Sequence, residues 1–308
     1  MMLLGVLLAL LACACGYSAS PAPSTAPPVP WPVKHPDSSL FRFAVYGDTR
    51  DGHDIHRDIV KAVESTKPEL VLQTGDLVSD SSVEAQWNIF EEITRSMRAA
   101  APYYPARGNH DNQGGTYFDG YMPKEGVHRE GFYYSFDKGR IHFVAIDTED
   151  ELIEKSRQYL WLDADMKKAK EDGKFIIPYY HKAIWSIGPH SVQGDVLALR
   201  PVLHDLFRKN GVRLAFQGHD HIYYRSIRDG VVYVVTGGGG APLYETRHPE
   251  LMIPGDVGET IHHFCVADVF EERVDVTVYR HDLSQLDFFS VAIPARPDAS
   301  AAPAAANP

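Results

Sequence analysis

Residues 41–50 read FRFAVYGDTR, a mostly apolar run of six residues that is followed by a glycine and an aspartate. The run has the length and character of a buried strand. Gly47 permits a sharp turn, so Asp48 is expected to point into a crevice beyond the strand. Residues 70–76 (LVLQTGD) repeat this arrangement and place Asp76 after a second buried strand. The two segments predict a sheet that gathers carboxylates at one edge.

Strands and helices alternate through the first two thirds of the chain. Apolar residues at helical spacing predict helices at 54–66, 82–98, 155–171 and 195–209, and apolar runs predict strands at 103–106, 132–136, 141–146, 175–180 and 212–217. From residue 231 onwards the pattern indicates strands. Such an order predicts two sheets packed face to face with helices outside, and ligands in such folds bind beyond the carboxyl ends of the strands.

Three further polar clusters follow predicted strands: Gly108–Asp111 (GNHD), His181, and Gly218–His221 (GHDH). Carboxylates, an amide oxygen and imidazoles are ligands that suit Mn, Fe or Zn. Taken singly, a Gly-Asp pair is more often a turn, and a lone histidine is more often a hydrogen-bonded structural residue. Five such clusters, each at a strand end, predict a metal site.

In type and order these motifs resemble those of the calcineurin-like metallophosphoesterase superfamily, which includes the purple acid phosphatases and cyclic-nucleotide phosphodiesterases. The resemblance covers residues 41–285. It implies an α/β fold, a four-layer α/β/β/α sandwich of two mixed β-sheets flanked by helices. It also implies two divalent or trivalent ions (Mn, Fe or Zn) roughly 3.5–4 Å apart, and a metal-bound hydroxide that attacks a small-molecule phosphate ester.

The resemblance assigns the ligands residue by residue. The implied metal ligands are Asp76 as the bridge, Asn109, His181 and His219 at one position, and Asp48 and His221 at the other. His110 would be the catalytic histidine beside the phosphate, and Asp111 would orient it.

One position departs from the family pattern. The family usually has Asp-x-His in its first motif, whereas this chain has Arg50 in place of the histidine. The purple acid phosphatases supply a tyrosine three residues after the bridging aspartate, and here that residue is Ser79. The expectation is that His53, His56 or a water molecule fills the place, or that the site is weak.

Arg50 keeps its proton and offers no lone pair to a metal ion. Its planar guanidinium would suit a bidentate contact with a phosphate oxygen, which makes it a candidate substrate-binding residue. The alternative is a surface arginine paired with Asp51 or Asp54. The glycine run at 237–240 likewise has two interpretations, a flexible turn beside the site or a substrate contact.

The composition excludes several other classes of protein. The chain has 308 residues and a net charge of −11, which disfavours binding to nucleic-acid backbone, and no nucleic-acid-binding domain is expected. Three cysteines exclude a disulfide framework and a Cys-based zinc site. Cys265 lies in an apolar run and is expected to be a small buried residue.

The ends of the chain suggest export. Residues 1–18 are expected to be a signal peptide, because the apolar run at 3–12 precedes a lipoprotein-like box ending at Cys13. Ordinary signal cleavage near residues 15–18 and a misplaced start codon are the alternatives. Residues 19–39 read as a Pro/Ser/Ala-rich linker, 40–294 as the catalytic domain and 295–308 as a disordered tail. The expected location is the periplasm or outer surface, with membrane contact only through a lipid on Cys13.

Two rival functions remain open on these residues. One is metal-dependent hydrolysis of another ester or of an amide, and the other is a non-catalytic surface protein that binds metal or phosphate. The missing histidine of the first motif favours the binding protein. Asp48 and His110 disfavour it, because a pure binding protein needs no catalytic histidine.

Overall fold

The structure is a computed structural model that describes residue 36, residues 38–114 and residues 116–295. The expected signal peptide lies outside the described residues, as do residues 19–35 and 37 of the linker and residues 296–308 of the tail. In the part of the chain that is described, no helix combines the length and the apolar character needed to cross a membrane.

Helices and strands follow the predicted order closely. The α-helices are α1 (His53–Ser65), α2 (Glu84–Ala100), α3 (Arg157–Glu171) and α4 (Gly194–Asn210). The strands are β1 (Phe41–Tyr46), β2 (Leu70–Gln73), β3 (Tyr103–Pro105), β4 (His128–Glu130), β5 (Tyr133–Lys138), β6 (Ile141–Ile146), β7 (Phe175–Lys182), β8 (Leu214–Gly218), β9 (Tyr223–Arg228), β10 (Val231–Thr236), β11 (Val257–Glu259), β12 (His263–Val269), β13 (Arg273–Arg280) and β14 (Gln285–Ala292). Short 3₁₀ helices span Tyr117–Tyr121 and Pro249–Leu251.

These strands form two mixed sheets. The first has six strands in the order β14-β13-β12-β1-β2-β3, and the second has eight in the order β11-β9-β10-β8-β7-β6-β5-β4. In the first sheet β1 pairs parallel with β2 and antiparallel with β12. The second sheet has a central group of four adjacent parallel strands, in the order β10-β8-β7-β6.

The two sheets pack face to face through alternate residues of their strands. Phe43 of β1 is fully buried, and its ring lies 5.2 Å from that of Phe143 and 6.2 Å from that of Phe216, both in the second sheet. On the opposite face of β1, Ala44 and Tyr46 belong to a separate core cluster with residues of α1 and α2. Helices α3 and α4 form a corresponding cluster with the outer face of the second sheet. The predicted four-layer α/β/β/α sandwich is confirmed.

Two strands were not anticipated. Strand β9 follows the GHDH segment and pairs with β10, and β4 lies at the edge beside β5. In the long loop before β4, the ring of Tyr121 stacks at 5.0 Å on Trp87 of α2, and Phe118 is buried. These aromatic side chains therefore pack the loop against α2.

The parallel pairing of β1 and β2 positions the site. Tyr46 lies beside Gln73 at the carboxyl ends of these strands. The two Gly-Asp segments therefore leave the sheet side by side. In the facing sheet the parallel strands β7 and β8 carry His181 and Gly218 to their own carboxyl ends.

Candidate metal centre

The turns that carry Asp48 and Asp76 are bonded to each other. The N–H of Asp48 donates to the Gly75 carbonyl at 3.0 Å, and the N–H of Thr49 donates to the Asp76 carbonyl at 3.0 Å. Both aspartates are buried and have left-handed backbone angles, with φ of 58° and 57°. Such angles are unfavourable for residues with a Cβ and cluster at functional sites, where the surrounding structure maintains them.

Glycine is required at two positions beneath these carboxylates. A Cβ on Gly108 would lie 2.2 Å from Oδ1 of Asp76, which is well inside van der Waals contact. Gly75 has φ of 103°, and a Cβ there would lie 2.6 Å from Nδ1 of His181. The absence of side chains at these points lets the backbone approach the polar groups directly.

The lone pairs of four side chains converge at His181. Its Nδ1 lies 3.0 Å from the Thr74 carbonyl, which can only accept, so Nδ1 carries a hydrogen and Nε2 faces the crevice. The atoms around Nε2 are Oδ1 of Asn109 at 3.0 Å, Nδ1 of His219 at 3.1 Å and Oδ1 of Asp76 at 3.4 Å.

These separations fit a metal ion. Ligand atoms about 2.1 Å from one ion, at octahedral to tetrahedral angles, lie roughly 3.0–3.4 Å from one another. Burial alone would lower the pKa of His181, but the carboxylates of Asp76 and Asp48 raise it above its ordinary value. A proton and a metal ion are thus alternative ways to satisfy the same converging lone pairs.

His219 completes this set from the GHDH segment. It also has a left-handed backbone, with φ of 70°. Burial and the neighbouring His181 hold the pKa of His219 well below its ordinary value, so its ring is neutral and its nitrogen lone pair is available. Its Nε2 is buried and has no hydrogen-bond partner among the described residues.

Asp48 and His221 define a second, neighbouring position. Nδ1 of His221 donates to the Pro242 carbonyl at 2.7 Å, which directs Nε2 to within 3.4 Å of Oδ1 of Asp48. Burial alone would raise the pKa of Asp48, but the hydrogen bond with His221 and the charge of His181 lower it. One ligand atom from each of Asp48, Asp76 and His181 lies within 4.8 Å of the others, so Asp76 is close to ligand atoms of both groups.

His110 lies at the open side of this group. Its Nδ1 lies 2.6 Å from the Ser79 carbonyl, and its Nε2 lies 3.9 Å from Oδ2 of Asp76. Its backbone N–H donates to Oδ1 of Asp76 at 3.0 Å. The ring therefore has one nitrogen anchored to the backbone and one directed toward the proposed reaction site.

Asp111 has no hydrogen bond to the His110 ring among the described residues, so a direct hydrogen bond does not supply the expected orienting role. Its buried carboxylate accepts backbone N–H groups of Asp76 at 2.8 Å, Leu77 at 2.9 Å and Gly108 at 2.9 Å. Burial and the nearby charge of Asp76 raise the pKa of Asp111 to about 8, although the N–H donors of Gly108 and Leu77 lower it. Asp111 joins the two loops that carry Asp76 and His110, while the Ser79 carbonyl orients the imidazole.

Arg50 lies against the metal ligands, and only 16% of its side chain is exposed. Its Nε is 3.4 Å from Oδ2 of Asp76 and has no hydrogen-bond partner in the described part of the chain. One terminal nitrogen donates to Asp51 at 3.0 Å and the other to the Tyr244 hydroxyl at 3.3 Å. The anticipated pair with Asp51 is present, but the interpretation as a simple surface arginine is wrong. Asp54 pairs with Arg57 instead.

Neither nearby histidine joins the described group of potential metal ligands. His56 is buried beside Tyr46 and Phe90, with ring centroids 5.8 Å from each, and burial lowers its pKa to about 3. His53 begins α1. The Ser79 side chain hydrogen-bonds to Asp51. His53 and His56 thus lie outside the group formed by Asp48, Asp76 and His181.

The glycine run at 237–240 is a buried support for the Asp48 turn. The N–H of Gly239 donates to the Gly47 carbonyl at 2.8 Å, and the N–H of Ala241 donates to the Asp48 carbonyl at 2.9 Å. All four glycines are buried. The flexible-turn interpretation is therefore wrong, since this segment is packed and hydrogen-bonded.

Two site residues escaped the sequence reasoning. The Tyr244 ring stacks on His221 at 4.1 Å with an interplanar angle of 10°. The His190 ring lies 4.0 Å from that of His219, and its Nδ1 lies 2.8 Å from Oδ1 of Asp220. Neither residue follows an apolar strand, so strand-end patterns gave no signal for them. Asp220, the aspartate of the GHDH segment, was the one indication in the sequence that another side chain binds at this point.

Comparisons with known proteins agree with this architecture. Residues 41–223 match the family model described as calcineurin-like phosphoesterase. Purple acid phosphatase 18 of Arabidopsis thaliana is 25% identical over 254 residues, which cover 73% of this chain and 54% of that protein. Acid phosphatase type 7 of Mus musculus is 28% identical over 244 residues, which cover 70% of this chain and 54% of that protein. The chain thus spans about half the length of these relatives.

A solved structure shares the fold. The purple acid phosphatase PPD1 from yellow lupin (Lupinus luteus) seeds superposes with a TM-score of 0.68 at 22% identity. The match covers 83% of this chain and 54% of that one. At this level of identity the likeness establishes the arrangement of sheets and helices.

Proposed function

Because the chain belongs to the calcineurin-like phosphoesterase family, we propose that it is a metal-dependent enzyme that hydrolyses small phosphate esters. The observation that carries the proposal is the convergence of Asp76, Asn109 and His219 on Nε2 of His181 at 3.0–3.4 Å. This donor set is typical of Mn, Fe or Zn.

In this proposal two metal positions share Asp76. Asn109, His181 and His219 would hold the ion of one position, and Asp48 and His221 would contribute to the other. Ions bound there would neutralise phosphoryl charge and lower the pKa of a bound water. The sequence led us to expect a dinuclear centre and a hydroxide nucleophile, and the shared Asp76 supports that arrangement.

His110 supplies the proton donor in this proposal. As a cation it carries hydrogens on both ring nitrogens, and the Ser79 carbonyl accepts from Nδ1 at 2.6 Å. The proton on Nε2 is therefore the one available to the leaving oxygen. Its transfer leaves the neutral Nδ1–H tautomer, which the same carbonyl continues to stabilise. Ser79 thus keeps the ring in one orientation before and after transfer.

A substrate comparison separates this function from its rivals. Metal-reconstituted protein should cleave p-nitrophenyl phosphate, inorganic phosphate should inhibit, and p-nitrophenyl sulfate and p-nitroacetanilide should be poor substrates. Preference for the sulfate or the anilide would favour another metal-dependent hydrolase. Metal and phosphate binding without cleavage of any of the three would favour the binding protein.

We also propose that the protein is exported and acts in the periplasm or at the outer surface. The apolar run at residues 3–12 and the box that ends at Cys13 support this location. A lipid on Cys13 would then be its membrane anchor, and the linker at 19–39 would separate the anchor from the catalytic domain.

A further inference from the structure

The two metal positions differ in the protein atoms that surround them. At one position, Nε2 of His181 has three other side-chain ligand atoms at 3.0–3.4 Å, from Asn109, His219 and Asp76. At the other position, the ligand atoms identified are those of Asp48, Asp76 and His221. The oxygens of Asp48 also accept the His219 N–H, at 3.0 and 3.2 Å. The second set is one protein ligand smaller.

The positively charged side chain of Arg50 lies beside this smaller set of ligands. Nε of Arg50 is 3.4 Å from Oδ2 of Asp76, the oxygen that is not directed toward His181. Arginine keeps its proton in proteins, so the guanidinium is a permanent positive charge. Its Nε has no hydrogen-bond partner among the described residues, so its attraction to Asp76 is electrostatic.

The guanidinium is held in place by residues of the site itself. Its terminal nitrogens donate to Tyr244 at 3.3 Å and to Asp51 at 3.0 Å. Tyr244 in turn stacks on His221, and its backbone N–H donates to the His221 carbonyl at 3.1 Å. Moving Arg50 away from Asp76 would therefore break contacts to both partners.

We propose that Arg50 takes the place of the cation at the position formed by Asp48, Asp76 and His221. The protein then holds one metal ion firmly, at Asp76, Asn109, His181 and His219, and the guanidinium supplies the second positive charge beside it. This inference rests on the proposed metal centre and revises it, from two ions to one firmly held ion with Arg50 beside it. A divalent ion brought within a few ångströms of a buried guanidinium is repelled, so the Asp48–His221 position binds metal much more weakly.

This substitution has a consequence for the substrate. A metal ion and a guanidinium on either side of Asp76 would together face a phosphoryl group. The planar fork of arginine can donate to two phosphate oxygens at once in a fixed geometry, which a lysine ammonium does not provide. Arg50 would thus position the phosphate while it balances the charge of Asp76.

The test counts metal ions and does not depend on turnover. Protein stripped with a chelator is titrated with Mn²⁺, and binding is followed by equilibrium dialysis and by electron paramagnetic resonance. We expect one tight equivalent with the spectrum of an isolated ion, and a second equivalent at least about tenfold weaker. In Arg50→Gln and Arg50→His the second equivalent should tighten by about tenfold or more and give the spectrum of a coupled pair. Arg57→Gln, which alters an exposed arginine of α1, is the matched control and should behave as the wild type.

The outcomes separate this inference from the proposed function. Two tight equivalents and a coupled spectrum in the wild type would overturn the role of Arg50 and leave the metal centre intact. No tight equivalent in the wild type would overturn both. Because the decisive count is made on the wild type, it holds even if a variant folds poorly.

Discussion

Nε2 of His181 lies 3.0 Å from Oδ1 of Asn109, although the two residues are 72 positions apart in the chain. The other nitrogen of His181 faces the Thr74 carbonyl, so two lone pairs meet unless a proton or a metal ion lies between them. The same point is approached by Asp76 and His219. The fold thus concentrates four electron-pair donors where a buried cation is needed.

Asp76 and His110 should respond differently to mutation. Asp76→Asn removes a charged ligand shared by both positions, so metal content and phosphatase activity should fall together. His110→Ala leaves the ligands in place and should lower kcat by about a hundredfold to ten-thousandfold at unchanged metal content. Metal analysis and kinetics on the two purified variants test this. Equal metal loss in both would contradict the assignment of His110 as proton donor.

Arg50 should matter to catalysis when only one ion is bound. With metal supplied at one equivalent, Arg50→Ala should lower kcat/KM by about ten- to a hundredfold, because a charge-assisted hydrogen bond is worth roughly 1.5–3 kcal/mol. Arg50→Lys should recover part of this loss, since it keeps the charge but not the planar fork.

Arg57→Ala is the control for this series and should be nearly silent, because exposed ion pairs contribute about 0–1 kcal/mol. An Arg50→Ala variant with wild-type kcat/KM at one metal equivalent would refute the phosphate contact. An inactive Arg50→Ala variant that had also lost its metal would likewise refute the phosphate contact, because loss of the metal would then explain its inactivity.

The sequence predicted the strand-end residues of the site and missed those outside that pattern. Asp48 and Asp76 follow apolar runs, so their position could be inferred from the run and the glycine alone. Tyr244 lies in a loop, and its place beside His221 depends on the packing of that loop across the site. Local patterns carry no information about such long-range contacts.

The role of Asp111 shows the same limit. Its place in GNHD indicated a functional residue, but two of its three partners are backbone groups of a different loop, those of Asp76 and Leu77. Strand β9 was missed because the polar GHDH segment immediately precedes it and its length is set by pairing with β10 and β11. Alternation of side chains could indicate a strand, but the pairing partner is a tertiary property.

His142 gives the protein a pH-dependent contribution to stability. Its buried ring lies between Asp137, at 2.7 Å from Nδ1, and Asp165, at 2.8 Å from Nε2. Burial would lower the pKa of His142, but the two carboxylates raise it. Burial would raise the pKa values of Asp137 and Asp165, but hydrogen bonds lower both. Asp137 accepts hydrogen bonds from Lys174 and His142, and Asp165 accepts one from His142. His128 and Ser135 also contact Asp165.

The directions of these pKa shifts determine how the stability of the protein changes with pH. The contribution of His142 is full below its unfolded pKa of about 6.5 and is lost as pH rises through its higher folded pKa. The contribution of the carboxylates is present above about pH 4 and is lost as pH falls through their lower folded pKa values. His142→Gln should therefore destabilise the protein most between about pH 4 and 6.5, by about 3 kcal/mol, and less at pH 9.

Denaturant unfolding of the wild type and His142→Gln across this range measures the difference. His128→Gln alters a largely exposed neighbour of Asp165 and should have a small effect throughout. A His142→Gln deficit that is the same at pH 5 and pH 9 would mean that packing, rather than charge, accounts for the loss.

Cys13 tests the proposed location. If the sulfur carries a lipid, the wild type should fractionate with membranes and Cys13→Ser should become soluble. Cys15→Ser changes the neighbouring cysteine of the same segment and should remain with the membranes. Equal solubility of the wild type and Cys13→Ser would rule out the anchor, while secretion without a lipid would then be examined in the culture medium.

Hydrolysis of phosphate esters is expected to depend on a metal ion held by Asp76, Asn109, His181 and His219. This dependence is measured by following cleavage of p-nitrophenyl phosphate by one preparation before chelation, after chelation, and during stepwise addition of Mn²⁺. We predict that activity is lost with the metal and returns in proportion to the first equivalent bound. Undiminished cleavage by the metal-free protein would contradict a role for metal in the reaction.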